Sequence, residues 1–282
     1  MIRIVTDSAA DLTKNELSLP GVYVVPMTVT FADGTGVEDD GSMTRDEYFT
    51  RLAGESKLPR TSQPSPESFM KAFRDAQEAG DEVVVITISQ TLSGTWQCAK
   101  LAAAEVEDAQ VYIVDSRTAT QGEALLVREA VRLRTEGLSA AEIAEELEHL
   151  KERVRITAIV DSLHHLQKGG RLPKAVALVC GALGIKPVLA LREDGEIKMV
   201  DKGRGRPGAL VAMFKQIDKL GGVDPRYGYT LLYSDDRQLA APVHHYMHET
   251  LHLTGGRVAQ IGPTIGTHIG PRAVGVVFVT KE

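Results

Sequence analysis

Short β-branched runs alternate with helix-period segments through the first half of this chain, and that alternation narrows the fold more than any other feature. Residues 2–5, 22–29, 82–88, 111–114 and 156–160 read as strands bounded by polar residues. Between them, Ser65 followed by Pro66 has the form of an N-cap with proline at the first helical position. Ser139 with Glu142 makes a capping box for a helix running toward Arg153. The alternation implies an α/β fold with a mostly parallel sheet covered on both faces. Three strands end alike, in Asp7-Ser8, Asp115-Ser116 and Asp161-Ser162. Parallel strand ends share an edge, so these pairs have the makings of a polar rim at a topological switch point. The strong N-cap preference of Asp and Ser favours the other reading, in which each pair caps the next helix.

The second half changes character after about Asp161. Glycines cluster at 169–170, 181, 184, 203, 205 and 208, and Asp194-Gly195 between residues 188–191 and 198–202 is a strong hairpin turn. A helix over 210–220, a strand over 229–233, a helix through 244–253 and a strand over 274–280 complete an α+β pattern. With 282 residues, the chain is long enough for two domains sharing a cleft, and the expected division is 1–158 and 159–282. The 43% hydrophobic share supplies a sizeable core. A net charge of -6 argues against a general nucleic-acid grip. Cys98 and Cys180 are isolated thiols that suit a reducing cytosol as small buried hydrophobes. The N-terminus turns polar after five residues, so it reads as a first strand and not a signal peptide. The expected location is cytoplasmic, without a membrane span and with at most transient membrane contact.

Four segments carry chemistry. In residues 59–66, three prolines stiffen an exposed stretch, and Thr61 and Ser62 present hydroxyls just before a helix. In residues 89–95, a buried strand runs into a Ser/Gly/Thr turn holding Ser93 and Gly94, then a helix N-terminus. That arrangement suits one carboxylate or phosphate. It is not a Walker loop, because no Gly-Lys-Ser/Thr follows. In residues 261–271, glycines and prolines pin a loop around Thr267 and the single histidine His268, leaving backbone exposed for a ligand. The fourth segment is basic: Lys168 and Arg171 flank a glycine pair ahead of a helix, and Lys202, Arg204 and Arg206 follow. Such cations mark a docking surface for an acidic or phosphorylated partner, or else a solvated turn. His244, His248 and His252 recur every four residues, but no His-Glu-x-x-His accompanies them, so a polar helix face is the better reading than a metal site.

Taken in order, Thr6-Asp7-Ser8 with Asp11-Leu12, Arg60-Thr61-Ser62-Gln63-Pro64, Leu92-Ser93-Gly94-Thr95, Val114-Asp115-Ser116, Gly169-Gly170-Arg171, Gly184-Ile185-Lys186-Pro187 and the segment from Ile261-Gly262 to Gly270-Pro271 resemble the DegV family. The resemblance covers nearly the whole chain. It implies a two-domain carrier, with no cofactor, that holds one long-chain fatty acid in a tunnel between its domains. It implies a carboxylate held by Thr61, Ser93 and His268, with Arg171 nearby acting through water, and Ser62, Gly94 and Thr267 beside them. It further implies delivery to a dihydroxyacetone-kinase-like fatty acid kinase, which forms an acyl phosphate for phospholipid synthesis. Arg204 and Arg206 match the kinase-facing region only loosely.

The rival expectation is an enzyme at the same cleft. Ser93 with His268 has the composition of a nucleophile and base, and Asp7, Asp115 and Asp161 that of a metal-dependent hydrolase. Against the first stand a missing nucleophile elbow and the lack of a third residue to orient the histidine.

Overall fold

The structure, a computed structural model, describes residues 1–172 and 184–282. Cys180, Gly181 and the helix expected after the basic glycine turn lie outside the described residues. In chain order the first half comprises β1 (Ile2–Asp7), α1 (Lys14–Leu17), β2 (Val22–Val25), β3 (Thr28–Thr30), β4 (Gly36–Glu38), α2 (Arg45–Gly54), β5 (Arg60–Ser62), α3 (Pro66–Glu78), β6 (Glu82–Thr87), α4 (Thr95–Ala104), β7 (Val111–Asp115), α5 (Gln121–Thr135) and α6 (Ala140–Lys151). Strands β2-β1-β6-β7 form a parallel sheet. Residues 83–87 of β6 are all buried, as a central strand covered on both faces requires.

The run expected as one strand over 22–29 is two. Pro26 has no N–H to give a ladder, so pairing in the parallel sheet stops at Val25. Residues 28–30 instead join an antiparallel sheet of order β4-β3-β5, where Val29 lies opposite Thr61. Both helix starts are as expected: the Ser65 hydroxyl accepts from the Ser68 N–H, and Ser139 with Glu142 closes a capping box.

The second half comprises β8 (Val154–Ile159), α7 (His164–Lys168), β9 (Ile185–Leu191), β10 (Ile197–Arg204), α8 (Gly205–Asp218), β11 (Tyr229–Tyr233), α9 (Ala241–His245), β12 (Gly256–Gln260), α10 (Pro263–Ile269) and β13 (Val274–Val279). Its sheet has the order β10-β9-β8-β13-β11-β12 and is antiparallel except between β11 and β12. β8 spans the division expected at residues 158 and 159. Because β8 belongs to this second sheet, Asp161-Ser162 does not share an edge with the other two Asp-Ser pairs. Neither Asp7-Ser8 nor Asp115-Ser116 caps an α-helix, whereas the Ser162 hydroxyl accepts from the N–H of His164 at the start of α7 (3.4 Å). Asp7 caps the short 3-10 turn Ser8–Ala10, Asp115 accepts from the Gln90 and Arg117 N–H groups, and Asp161 pairs with Lys186 at 2.7 Å. α9 continues into a π-helical turn in which His248 stacks on His244, while His252 adopts a left-handed backbone beyond it.

The largest apolar cluster crosses between the sheets, from Ile4 and Ile86 through α5 and α6 to Ile156, Leu191, Leu232 and Val277. α10 is held at the junction. Asp11, in the left-handed region at φ 53°, accepts from the Gly262 N–H at 2.9 Å and from the Thr120 hydroxyl. Arg45 donates to the carbonyls of Asp11, Leu12 and Gln260. The segment expected as a loop around His268 is thus a seven-residue helix, with Pro263 at its first turn and Gly270 at φ 77° ending it. Gly266 lies where this helix meets α2, and a β-carbon there would come within 2.9 Å of the rings of Tyr48 and Phe49. Gly266→Ala should therefore destabilise the protein by about 1–3 kcal/mol through overpacking. Urea denaturation checks this, and a midpoint unchanged or raised contradicts the close packing of α10 on α2.

Candidate ligand-binding site

Carboxyl ends of the parallel strands face one side of the antiparallel sheet, and a cavity lies between them. Ile88 and Leu92 follow β6, Ala119 follows β7, and Met27 follows β2; together they form one wall. The opposite wall comes from the second sheet. Ile156 and Ala158 on β8 point into the cavity, whereas Ile159 packs in the core behind it, the period-2 alternation of a strand with two different faces. Ile265 and Ile269 of α10 close the side between the walls. The empty space, with the open mouth and adjoining solvent included, is about 880 Å³.

One end of this apolar space is polar. Thr61, Ser93, Arg171 and His268 all line it. β5 carries Thr61, the β6–α4 loop carries Ser93, and α10 carries His268, so three separate elements converge. His268 Nε2 lies 2.8 Å from the Thr61 hydroxyl, and its Nδ1 is buried without a partner among the described residues. Gly169 packs directly against this ring, leaving no room for a side chain there. Ser93 Oγ bonds the Thr95 hydroxyl at 2.8 Å. The Arg171 guanidinium donates to the carbonyls of Leu92 (2.9 Å) and Gly169 (2.5 Å), tying the Ser93 loop to the glycine turn. Burial, with smaller contributions from the charges of Arg171 and His165, pushes the His268 ring down to about 4. It is neutral at physiological pH.

The other residues singled out from sequence lie elsewhere. Ser62 is exposed, and Gly94 is the exposed residue against which Gln63 packs; neither lines the cavity. Thr267 points away, donating to the Pro263 carbonyl at 2.9 Å and accepting from the Tyr48 hydroxyl at 2.7 Å, which anchors α10 to α2. Arg204 is exposed, whereas Arg206 turns inward and donates to the Arg272 carbonyl at 2.8 Å. Sequence reasoning missed the wall from the second sheet entirely, since Ala158, Leu232 and Gly275 meet only through long-range strand pairing. Among the described residues, no group of three His, Cys, Asp or Glu side chains is placed to hold a metal. No helix among them is long and apolar enough to cross a membrane.

A parallel sheet faces a mostly antiparallel sheet across one apolar cavity, with Thr61, Ser93, Arg171 and His268 clustered in its lining, the build of a two-sheet ligand-binding protein. This chain belongs to the DegV family, whose model, described as an uncharacterised protein family, matches residues 1–281. A DegV domain-containing protein of Caldanaerobacter subterraneus subsp. tengcongensis is 34% identical over 280 residues, covering 99% of both chains. Among solved structures, a DegV family protein from Thermus thermophilus described by its fatty acid binding superposes with a TM-score of 0.89 at 33% identity, covering 99% of each chain. A stearic-acid-binding protein from Eubacterium ventriosum gives 0.87 at 32% identity, over 100% of this chain and 99% of the other.

The depressed basicity of His268 has a direct check. In the ligand-free protein its ring should titrate near pH 4 by NMR; a midpoint at the ordinary value near 6.5 contradicts the burial argument.

Proposed function

We propose that this protein is a carrier that binds one long-chain fatty acid, with the chain in the apolar cavity and the carboxylate on Thr61, Ser93 and His268. The observation that carries this reading is the joining of an apolar cavity to a cluster of Thr61, Ser93 and His268, in which the imidazole already bonds the Thr61 hydroxyl. Fatty acids are the ligands named for the similar proteins of Thermus thermophilus and Eubacterium ventriosum. A tail of about 16 carbons, at roughly 0.8 kcal/mol per CH₂, gives an upper bound near 12 kcal/mol before the costs of association. The tail therefore supplies affinity. The hydroxyls supply orientation, holding one charge without the desolvation cost of a fully buried ion pair. The carboxylate end opens toward solvent through a cleft that also touches Thr61, Arg171 and His268, which suits presentation of the head group to a second protein. That partner is a fatty acid kinase of the dihydroxyacetone-kinase type, forming an acyl phosphate for phospholipid synthesis.

Hydrolysis at this cleft is disfavoured by geometry. A serine nucleophile needs the imidazole at its hydroxyl. Here the hydroxyl of Ser93 bonds Thr95, and the imidazole of His268 bonds Thr61. The carboxylates of Asp7 are occupied by the Ala9 and Ile88 N–H groups, and Asp161 is paired with Lys186, so neither is free for a metal.

Native mass spectrometry of protein purified from a bacterial host should show a bound species of fatty-acid mass. A ligand-free protein that turns over esters overturns the carrier reading. Thr61→Val and Ser93→Ala should each weaken fatty acid binding by about 10- to 100-fold, the effect of one hydrogen bond to a charged group, with thermal unfolding little changed. Unaltered affinity in both variants removes the carboxylate from this end of the cavity.

A further inference from the structure

Glu123, in the first turn of α5, is fully buried and takes no part in the ligand site. Its Oε1 accepts from the Thr6 hydroxyl at 2.9 Å, and its Oε2 has no partner among the described residues. Three carboxylates surround it: Asp7 at the end of β1, Asp11 after the turn that follows, and Asp115 at the end of β7. The cations near this group are engaged elsewhere. Lys151 pairs with Glu148 and donates to the Asp115 carbonyl, Arg128 holds Glu16 and Gln121, and Arg45 donates to three backbone carbonyls. Asp7 takes two N–H donors, from Ala9 and Ile88, and Asp11 takes one N–H and one hydroxyl, from Gly262 and Thr120. Glu123 takes one donor only. A bare carboxylate oxygen held away from water beside other carboxylates costs far more than the neutral acid. Burial, then the charge of Asp7, pushes Glu123 well above the ordinary carboxylate range.

This acidic group touches both the cavity wall and the helix that carries His268. Asp11 bridges Thr120, which lines the apolar cavity at φ 48°, and Gly262 at the start of α10. Asp39 holds Thr264 of the same helix. Asp7, Asp11 and Asp39 also line a separate, smaller opening with Arg45, whose rim includes the exposed Asp40 and Gly41, and protons can enter there without passing the ligand. We propose that Glu123 holds a proton at neutral pH, and that α10, with the head-group site it carries, stays seated only while that proton is held. A charge on Glu123 stands beside Asp7 and Asp11 in a low dielectric, and displacement of Asp11 relieves the repulsion while releasing Gly262 and Thr120 together. Because the folded-state value lies above the ordinary 4.5, seating takes up a proton. The stabilisation is complete below the ordinary value and is lost as pH rises through the raised one. The consequence for fatty acid affinity rests on the carrier reading, whereas the consequence for α10 does not.

The test follows amide hydrogen exchange and palmitate binding on the full chain, with palmitate kept below its aggregation concentration. Protection of the Gly262 and Thr264 amides, corrected for the intrinsic rate, should fall about tenfold or more in the wild type between about pH 6 and about pH 9. Palmitate affinity should fall with it. Glu123→Gln, a neutral isostere, should keep both across the range and match the wild type at the acid end. The wild-type infrared spectrum at neutral pH should also carry the carbonyl band of a protonated carboxylic acid that this variant lacks. If the variant does not fold, the band in the wild type must fade in step with amide protection, and a band that persists after protection is lost overturns the proposal. It is overturned as well if Glu123→Gln loses protection as the wild type does, or if the wild type keeps its protection throughout. Protection that follows pH while palmitate affinity does not removes the coupling to the ligand. A wild type that binds no palmitate at any pH sinks the carrier reading instead, and amide protection still decides whether Glu123 seats α10.

Discussion

The site depends on one anchorage, the seating of α10 on the first half of the chain. This helix carries His268, and its first N–H groups are fixed by carboxylates from far away in sequence. Asp11 holds Gly262, and Asp39 accepts from both the backbone and the hydroxyl of Thr264 (3.1 and 2.6 Å). Burial pushes Asp11 up to about 7 against the opposing charge of Arg45, a measure of how deeply this contact is enclosed. Further along, Thr267 bonds Tyr48, and Gly266 lets the helix lie close against the aromatic rings. Each contact removes a degree of freedom from one imidazole. A ring held this way needs little reordering when a head group arrives, which is how preorganisation raises affinity.

Around that ring, charge is handled sparingly. Within the cavity wall the donors are hydroxyls and a neutral imidazole, while the cations stand at the mouth. Arg171 belongs to both spaces, and its Nε and Nη1 donate to the carbonyls of Leu92 and Gly169. It organises the loops that hold Ser93 and pack on His268. The result is a gradient from apolar walls, through neutral donors, to positive charge in water, and it matches the polarity of an amphipathic acid read from tail to head.

Much of this was legible in the sequence because the signals were local. Ser65-Pro66, the Ser139–Glu142 box and Asp194-Gly195 each set backbone geometry within a few residues, and each appears where expected. Thr61, Ser93 and His268 stood out because each lies in a punctuated turn, and the structure brings all three to one cavity end. What failed to show was long-range. Pro26 broke a run that apolar pattern alone joined. The glycines around His268 suggested an open loop, whereas Gly266 serves helix–helix contact and Gly270 only ends the helix. Asp161-Ser162 read like its two counterparts, yet strand pairing places it in the other sheet. The tail wall and the roles of Asp11, Asp39 and Arg45 arise from contacts spanning up to 251 residues, which no local pattern records.

In the proposed complex the head group sits at Thr61, Ser93 and His268, and the tail runs toward Ile156 and Leu232. A crystal structure with a fatty acid brominated at its terminal carbon tests it directly, since anomalous scattering locates the bromine. The proposed orientation places the carboxylate within hydrogen-bond distance of Thr61, Ser93 and His268, with the bromine at the far end of the apolar cavity. Bromine beside His268, or a cavity left empty at saturating ligand, would contradict it.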